Sequence, residues 1–538
     1  MPWSSVNSES VNIIKVNAVA AVGWIFLNDC TVPFRVTKAG MNDADFPACS
    51  TRASTNNRRL QTTPAILLFL GNNAMDRSDP MRKHEQKWME DLPEAFKIYR
   101  AGREIDEVEC IVPDLAGMSR GKAMPVRKFS PQHETYLPVS IFYQTITGRD
   151  VEMDIDNQWA EGDLVLKPDM STAKAVPWAK EPTLQVIHDL YTRDGVPVAI
   201  APRQVLKQVV HLYAQQGWRP VVAPELEFYL IKPNLDPNEP IQAPVGRTGR
   251  QGSGNQSYSM SAVDDYGPVI DTIYDFARDA GLSIDTVIQE DGAGQVEFNL
   301  SHGDPVLLAD QVFYFKRIIR EAALNHRIFA TFMAKPMRDQ PGSAMHVHQS
   351  VVGIETGENI FSDKNGNATD RFMHFIGGSQ RYLPQSLPLM APYVNSYRRF
   401  ESDANSSAPT NFAWGYDNRA AGLRVPNSAP QNRRLENRVV GVDCNPYLAI
   451  SVGLACGYLG MMKKIEPGEP AVGELEGDEY CIPTTIDEAL TLFEAADDVH
   501  RILGQDFCMI YDAVKREEMR LFHREISPWE REHLLLNV

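Results

Sequence analysis

Alternating polar and apolar residues in four separate segments most constrain the fold of this chain. The segments are 220–230, 288–300, 342–350 and 433–438. In each of them polar side chains stand two residues apart, and apolar residues fill the positions between. Because side chains at i and i+2 of a strand point to the same face, each segment is predicted to be extended, and segment 288–300 turns through Gly292 and Gly294 between Glu290 and Glu297. We expect the polar faces of the four strands to point one way.

The polar positions of these strands carry acids, imidazoles and guanidinium groups. They are Glu225, Glu227, Glu290, Glu297, His346, His348, Arg434, Glu436 and Arg438. A solvated strand face is the simpler interpretation of any single pair. The segments together argue against it, because two like charges ~5 Å apart among apolar strands cost on the order of 3 kcal/mol at an effective dielectric of ~20. Divalent cations would remove that cost, and carboxylates with one imidazole suit Mg²⁺ or Mn²⁺ better than structural Zn²⁺.

Arginine is concentrated in residues 398–438, although the chain as a whole is acidic. These side chains include Arg399, Arg419 and Arg424. Taken singly they fit surface ion pairs equally well. Taken with the predicted metal site they indicate a phosphate-binding surface, because planar guanidinium groups bind phosphates in a bidentate manner. Metal ions and arginines together are typical of phosphoryl transfer, while neither a Walker A motif nor a GxSxG motif occurs.

Charge and cysteine content restrict the partners and the compartment. Lys and Arg number 53 against 70 Asp and Glu, a net charge of −17. That balance argues against sequence-independent nucleic-acid binding and against a polybasic membrane contact. No apolar run reaches the ~18 residues of a membrane span. Seven cysteines without a CxxC motif argue against a disulfide framework or a zinc site and favour a cytoplasmic location.

The chain divides into three predicted regions. Residues 1–87, rich in Ser, Thr and Asn, are predicted to be a poorly ordered extension, with a targeting segment as the alternative interpretation. Residues 88–197 predict a small α+β domain, with a strand over 138–147 and a hairpin over 164–177. Residues 198–538 predict a larger α+β domain, and its predicted helices are 205–216, 268–280, 305–329, 372–380, 446–464, 486–496 and 507–525.

Several motifs, in this order, resemble the glutamine synthetase superfamily. They are Pro-Glu-Leu-Glu-Phe at 224–228, Gly-Gln-Val-Glu at 294–297, Gly-Ser-Ala-Met-His-Val-His at 342–348, Asn-Arg at 418–419, and Arg-Leu-Glu-Asn-Arg at 434–438. The similarity is greatest to the γ-glutamylpolyamine synthetases of bacterial putrescine catabolism. The resemblance implies an N-terminal β-grasp domain and a catalytic domain with a curved antiparallel sheet. It also implies a dodecamer of two hexameric rings, in which a neighbour's β-grasp domain completes each site.

The resemblance also implies roles for individual residues. Glu227, Glu290 and Glu297 would hold one metal ion, and Glu225, His346 and Glu436 another, with two or three Mg²⁺ or Mn²⁺ ions in all. Arg399 would bind the glutamate α-carboxylate beside Gly342. Phosphates would lie against Arg419, Arg424 and Arg438, and His348 and Ser350 would lie on the nucleotide side. ATP would phosphorylate the γ-carboxylate of glutamate, and an amine would then displace the phosphate.

Three departures from the family pattern concern the amine. Ser407 replaces a Glu that helps deprotonate ammonium, Leu137–Phe142 replaces an Asp-Gly-Ser-Ser loop, and Pro341 replaces an Asn. A pocket without those acids should hold ammonium poorly, so a primary amine such as putrescine, another polyamine or a monoamine is the expected acceptor. The alternatives are an ordinary glutamine synthetase and a catalytically silent structural relative. Tyr480 stands where some relatives are nucleotidylated, but its flanking residues differ and favour an ordinary loop tyrosine.

Overall fold

The computed structural model describes residues 24–27, 30–33, 87–153, 162–401, 408–473 and 480–538. Two compact units divide at residue 76. In the first, strands β1 (Trp24–Leu27) and β2 (Cys30–Pro33) form an antiparallel pair. The predicted extension 1–87 otherwise lies outside the described residues, apart from Lys87. All that follows concerns the second unit.

The N-terminal part of this unit contains a six-stranded mixed sheet. Its strands are β3 (Glu107–Pro113), β4 (Ser119–Pro125), β5 (Thr135–Pro138), β6 (Asp163–Pro168), β7 (Lys174–Ala175) and β8 (Thr183–Tyr191). Their order is β4-β3-β8-β6-β5, with β7 paired to β8 and with β3 parallel to β8. Helix α1 (Glu94–Arg100) buries Phe96.

Two sequence predictions fail in this sheet. The strand predicted over 138–147 gives way to a 3₁₀-helix at Val139–Phe142, whose Val139, Ile141 and Phe142 are buried. A short apolar run does not distinguish a strand from a buried helical turn, which explains the error. The hairpin predicted over 164–177 is also wrong, because β6 and β7 each pair with β8 and not with each other.

A predominantly antiparallel eight-stranded sheet follows, and it contains all four predicted polar strands. It consists of β9 (Trp218–Ile231), β10 (Ile284–Gln289), β11 (Gln295–Leu300), β12 (Phe329–Thr331), β13 (Met345–Gly353), β14 (Trp414–Tyr416), β15 (Leu423–Val425) and β16 (Leu435–Asn437). The order is β10-β11-β9-β13-β16-β15-β14, with β12 on β9. Only the β14–β15 pair of the described strands is parallel in this sheet. The predicted α+β class is therefore confirmed.

Each of the seven helices predicted for residues 198–538 is found close to its predicted position, and four shorter helices occur in addition in the described part of the chain. They are α2 (Pro202–Gln215), α3 (Met260–Asp265), α4 (Gly267–Asp279), α5 (Pro305–Asn325), α6 (Asp370–Tyr382), α7 (Val394–Tyr397), α8 (Pro446–Lys463), α9 (Ile486–Glu494), α10 (Asp497–Leu503), α11 (Gln505–Phe522) and α12 (Pro528–His533). Helix α5 ends before the predicted residue 329, because Arg327 takes a left-handed φ of 57° and the chain then enters β12. Nearly all of α8 is buried. Among the described residues, no helix has both the length and the apolar character of a membrane span.

The two sheets share one hydrophobic core. Leu166 of β6 and Phe298 of β11 belong to the same cluster of buried residues. Arg203 of α2 adds a buried polar link, donating to Asp189 of β8 at 2.7 Å and to Asp310 of α5 at 2.8 and 2.9 Å. Because the core is continuous, a domain boundary at residues 197–198 stays a prediction, and so does the β-grasp assignment of the first sheet.

Candidate active site

Strand register places the polar groups in rows across the larger sheet. Glu297 of β11 lies opposite Glu227 of β9. Glu225 of β9 lies opposite His346 of β13, and His348 of β13 opposite Glu436 of β16. The intervening Leu226, Phe228, Val296 and Phe298 are fully buried on the other face. The alternation seen in the sequence thus places the functional groups on one surface.

A cavity of about 800 Å³ lies over this surface. The predicted residues that line it are Glu225, Glu227, Glu290, Glu297, Gly342, His346, Arg399, Arg419, Arg424, Glu436 and Arg438. His348 and Ser350 are outside the lining. His348 Nε2 lies 2.8 Å from a Glu225 oxygen, and the Ser350 hydroxyl donates to the Arg433 carbonyl at 2.9 Å.

Two groups of side chains have donor atoms close enough to share a metal ion. One is Glu225, His348 and Glu436, and the other is Glu225, Glu297 and His346. In each group the donor atoms lie within 4.8 Å of one another. The grouping differs from the expected one, because His348 takes the place beside Glu436 that was expected for His346. The assignment of ligands to individual ions stays a prediction.

Three of the acids carry unusually high pKa values. Burial and the neighbouring Glu290 raise the pKa of Glu227 to about 8. Burial and Asp291 raise that of Glu290 to about 7, and burial with Glu227 and Glu225 raises that of Glu297 to about 9. This concentration of buried negative charge, with imidazole nitrogen beside carboxylate oxygen, fits bound divalent cations.

Glu225 and Glu436 are paired with cationic or imidazole groups instead. Burial alone would raise the pKa of Glu225, but hydrogen bonds from His346 and His348 hold it well below its usual range. Arg424 and Arg438 donate to Glu436 at 2.7 and 2.6 Å. Burial alone would raise the pKa of Glu436, but His346, Arg438 and His348 outweigh it and lower this pKa to about 2. Burial, followed by Arg438, lowers the pKa of His346, which keeps the ring neutral and able to bind a metal ion.

The Arg399 side chain lines the cavity and is held by hydrogen bonds to two backbone carbonyls. Only 1% of its surface is exposed, and its Nη2 donates to the carbonyls of Arg438 and Val439 at 3.1 and 2.9 Å. Gly342 lies so close that a Cβ there would stand 2.1 Å from Arg399 Cγ. Only glycine permits this approach. Arg419 is exposed, and it has neither a hydrogen bond nor an ion pair to any residue in the described ranges.

Comparison with known proteins agrees with this geometry. The family model "Glutamine synthetase, catalytic domain" matches residues 199–534. The chain belongs to the glutamine synthetase family. Gamma-glutamylputrescine synthetase PuuA of Escherichia coli is 34% identical over 438 residues, which cover 80% of this chain and 92% of that protein. The resemblance read from the sequence motifs is therefore confirmed.

The chain is also similar to a second ligase and to a solved structure. Gamma-glutamylethanolamide synthetase of Streptomyces coelicolor is 30% identical over 445 residues, covering 80% of this chain and 92% of that protein. The ligand-free structure of GmaS superimposes with a TM-score of 0.70 at 24% identity, over 81% of this chain and 98% of that chain, which supports the fold. Glutamine synthetase family members use ATP and divalent metal ions. This chain is an ATP-dependent ligase of the glutamate–amine class.

The cavity of this glutamine synthetase family member also contains residues that the sequence did not single out. They are Ser257, Tyr258, Asp291, Asn299 and Asn411. Ser257 and Tyr258 follow a Gly-rich stretch at residues 246–254. Asp291 directly follows Glu290, and this position was the one sequence signal that could have placed Asp291 in the site. A side chain of β11 also supports the site, because Gln295 Nε2 donates to Glu227 at 3.2 Å and to the Gly342 carbonyl at 3.0 Å.

The three departures from the family pattern are placed as follows. Pro341 lines the cavity. Leu137–Phe142 forms the end of β5 and the 3₁₀-helix after it. Ser407 lies outside the described residues, whereas the following Ala408 and Pro409 line the cavity.

Tyr480, the position at which some relatives are nucleotidylated, has a left-handed φ of 65°, and its carbonyl accepts from the Phe412 N–H at 2.7 Å.

Proposed function

We propose that this protein joins the γ-carboxylate of glutamate to a primary amine at the expense of ATP, with putrescine or another polyamine as the leading acceptor. The observation that carries the proposal is one cavity lined by both the acid cluster and four arginines, Arg399, Arg419, Arg424 and Arg438. The reacting carboxylate and the terminal phosphate of ATP are both anions. Their approach requires the neutralising charge that these groups provide.

The site residues are proposed to bind either metal ions or substrates. Glu225, Glu227, Glu290, Glu297, His346 and Glu436 would hold two or three Mg²⁺ or Mn²⁺ ions. When bound, these ions neutralise phosphate oxygens. Arg399 would bind the α-carboxylate of glutamate next to Gly342. Arg419, Arg424 and Arg438 would bind phosphates, and His348 and Ser350 would lie on the nucleotide side.

The proposed reaction has two steps. An oxygen of the γ-carboxylate attacks the terminal phosphorus of ATP, ADP leaves, and a γ-glutamyl phosphate forms. The lone pair of the amine nitrogen then attacks the acyl carbon, phosphate leaves, and the nitrogen loses a proton to give the amide. The guanidinium of Arg438 already lies 2.6 Å from Glu436, so its orientation is set before the substrates bind.

The choice of a primary amine rests on the departures from the family pattern. The segment Leu137–Phe142 offers apolar, buried side chains where glutamine synthetases carry an acidic loop. Pro341 lines the cavity in place of an Asn. Two relatives similar over most of their length carry the names of putrescine and ethanolamide ligases. These features support an acceptor larger than ammonium.

We also propose a cytoplasmic location and a dodecamer of two hexameric rings, in which each site is completed by a neighbour. Five described cysteines, Cys110, Cys444, Cys456, Cys481 and Cys508, are unpaired, which suits a reducing compartment. Mass photometry of the purified full-length chain would test the assembly, with twelve chains expected by the family resemblance and a monomer contradicting it.

Phosphate release with glutamate, ATP and a panel of amines tests the function. The panel comprises ammonium, ethanolamine, butylamine, putrescine and spermidine, each with Mg²⁺ and with Mn²⁺. We expect turnover with primary amines to exceed turnover with ammonium. Equal or faster turnover with ammonium would identify an ordinary glutamine synthetase, and no turnover with any amine would indicate a silent relative. Asp285→Asn, an exposed change on β10, serves as the active control for Glu297→Gln.

A further inference from the structure

Among the described residues, Asp291 is the one acid lining the cavity that the proposed chemistry leaves without a role. All five glutamates of the cavity are proposed metal ligands, and Glu225 and Glu436 in addition pair with imidazoles and arginines. Asp291 forms no ion pair with any residue in the described part of the chain, and neither of the two potential metal groups includes it. Its carboxylate therefore faces the cavity half-buried without a cationic partner.

The position of this carboxylate is fixed by the loop beside it. The Ser257 hydroxyl donates a hydrogen bond to Asp291 Oδ1. The Asn255 N–H donates to the Asp291 carbonyl at 2.6 Å, and the Tyr258 N–H donates to the Gln289 carbonyl at 2.9 Å. These contacts hold the loop against the β10–β11 turn, so the negative charge is oriented before a ligand binds.

Apolar residues line the same cavity. They are Ile288, Pro341, Ala408 and Pro409. Ile288 lies on the strand that ends beside Asp291, and Pro341 adjoins Gly342. A chain of methylene groups can pack on such residues while a charged end reaches the carboxylate. One cavity therefore offers apolar surface and a separate acid, as a diamine requires.

We propose that Asp291 binds the distal ammonium group of a diamine or polyamine acceptor and so determines the preference for such substrates over monoamines. The proposal rests on the proposed function and names the substrate class of that site. A charge-assisted hydrogen bond of this kind is worth roughly ten- to hundredfold in specificity. Asp291 acts on substrate binding and takes no part in the transfer of phosphate.

Putrescine and butylamine test the proposal, because butylamine has the same four-carbon chain without the second nitrogen. In Asp291→Asn we expect the ratio of kcat/KM for putrescine to kcat/KM for butylamine to fall about ten- to hundredfold. Ser257→Ala should lower the same ratio by a smaller factor. Asp285→Asn makes the same chemical change on an exposed part of β10 and should leave the ratio unaltered.

An unchanged ratio in Asp291→Asn would overturn the proposal. If both amines lose activity equally and the Mn²⁺ requirement rises, the ratio is unchanged because Asp291 is a metal ligand instead. Failure of the proposed function gives a different result, because the unmodified enzyme would then use neither amine. Circular dichroism and thermal melting of each variant establish that it is folded.

Discussion

Glu227 and Glu297 lie directly opposite each other on the adjacent antiparallel strands β9 and β11, with their carboxylates facing one cavity. Less than a tenth of either residue is exposed. Like charges in this cross-strand arrangement destabilise a sheet. The repulsion is relieved when protons or bound cations neutralise the acids, and the following predictions test that relationship.

The stability of the metal-free protein should fall as pH rises from 6.5 to 8.5. The pKa values of Glu290, Glu227 and Glu297 are raised by burial to about 7, 8 and 9, above the ~4.3 of an unfolded chain. An acid with a raised folded-state pKa favours folding at low pH, and this contribution disappears as pH rises through the folded value. Thermal melting in EDTA should show a decrease of several degrees over this range.

Addition of Mg²⁺ should reverse that decrease. Deprotonated carboxylates bind the cation and the unfolded chain does not, so the increase in melting temperature should be larger at pH 8.5 than at pH 6.5. Melting with KCl at equal ionic strength is the control. A metal-free melting temperature that is independent of pH, or a Mg²⁺ effect that shrinks with pH, would contradict the burial of an unneutralised acid cluster.

Glu297→Gln should separate stability from activity. Because Glu297 has a folded-state pKa of about 9, it must take up a proton on folding at pH 8, and Gln avoids that cost. The metal-free protein should therefore be stabilised at pH 8 by about 1 kcal/mol or more, while phosphate release falls to background because a proposed metal ligand is lost. Urea denaturation and the phosphate assay measure the two effects. Glu358→Gln, an exposed change, should alter neither. A destabilised but active Glu297→Gln protein would refute the role given to this residue.

Gly342→Ala should weaken glutamate binding. The added methyl would stand 2.1 Å from Arg399 Cγ and 2.8 Å from the Ala334 carbonyl, so the arginine must move. We expect KM for glutamate to rise about tenfold or more, with KM for ATP changed less. The control is Gly267→Ala, where nothing lies within 4 Å of the new Cβ. An unaltered KM for glutamate in a folded variant would remove Arg399 from the glutamate site.

Arg419→Ala should abolish activity without a cost in stability. The side chain is exposed and pairs with no group among the described residues, so its loss should change the free energy of unfolding by less than ~0.5 kcal/mol. Arg438→Ala provides the contrast, because it removes the buried donor that lies 2.6 Å from Glu436 and leaves that acid with Arg424 alone, which should cost about 2 kcal/mol. Isothermal titration with ADP should show weaker binding in Arg419→Ala. Full activity of this variant would exclude a role in phosphate binding.

Strand alternation made much of the site predictable from the sequence. Glu225 and Glu227 had to share a face once β9 was identified, and the apolar Leu226 and Phe228 fixed which face was buried. The sequence could not show which strands are neighbours. The grouping of His348 with Glu436 depends on the pairing of β13 with β16, a tertiary property that no local pattern contains.

Two other features could not be predicted from local sequence patterns, each for a different reason. The run after Pro138 is short and apolar, which suits a strand or a 3₁₀-helix equally. Asp291 lines the site beside a loop 34 residues earlier in the chain, which contacts the β10–β11 turn through Ser257. Such a contact between distant segments leaves no periodic signal in the sequence.

The most direct test of the central claim is a count of Mn²⁺ ions bound to the full-length, metal-free protein, by titration with detection of free Mn²⁺ in electron paramagnetic resonance. The acid cluster predicts about two tightly bound ions per chain, with at least one lost in Glu297→Gln and none lost in Glu358→Gln. Absence of bound Mn²⁺, or the same number of bound ions in Glu297→Gln as in the unmodified protein, would contradict the account.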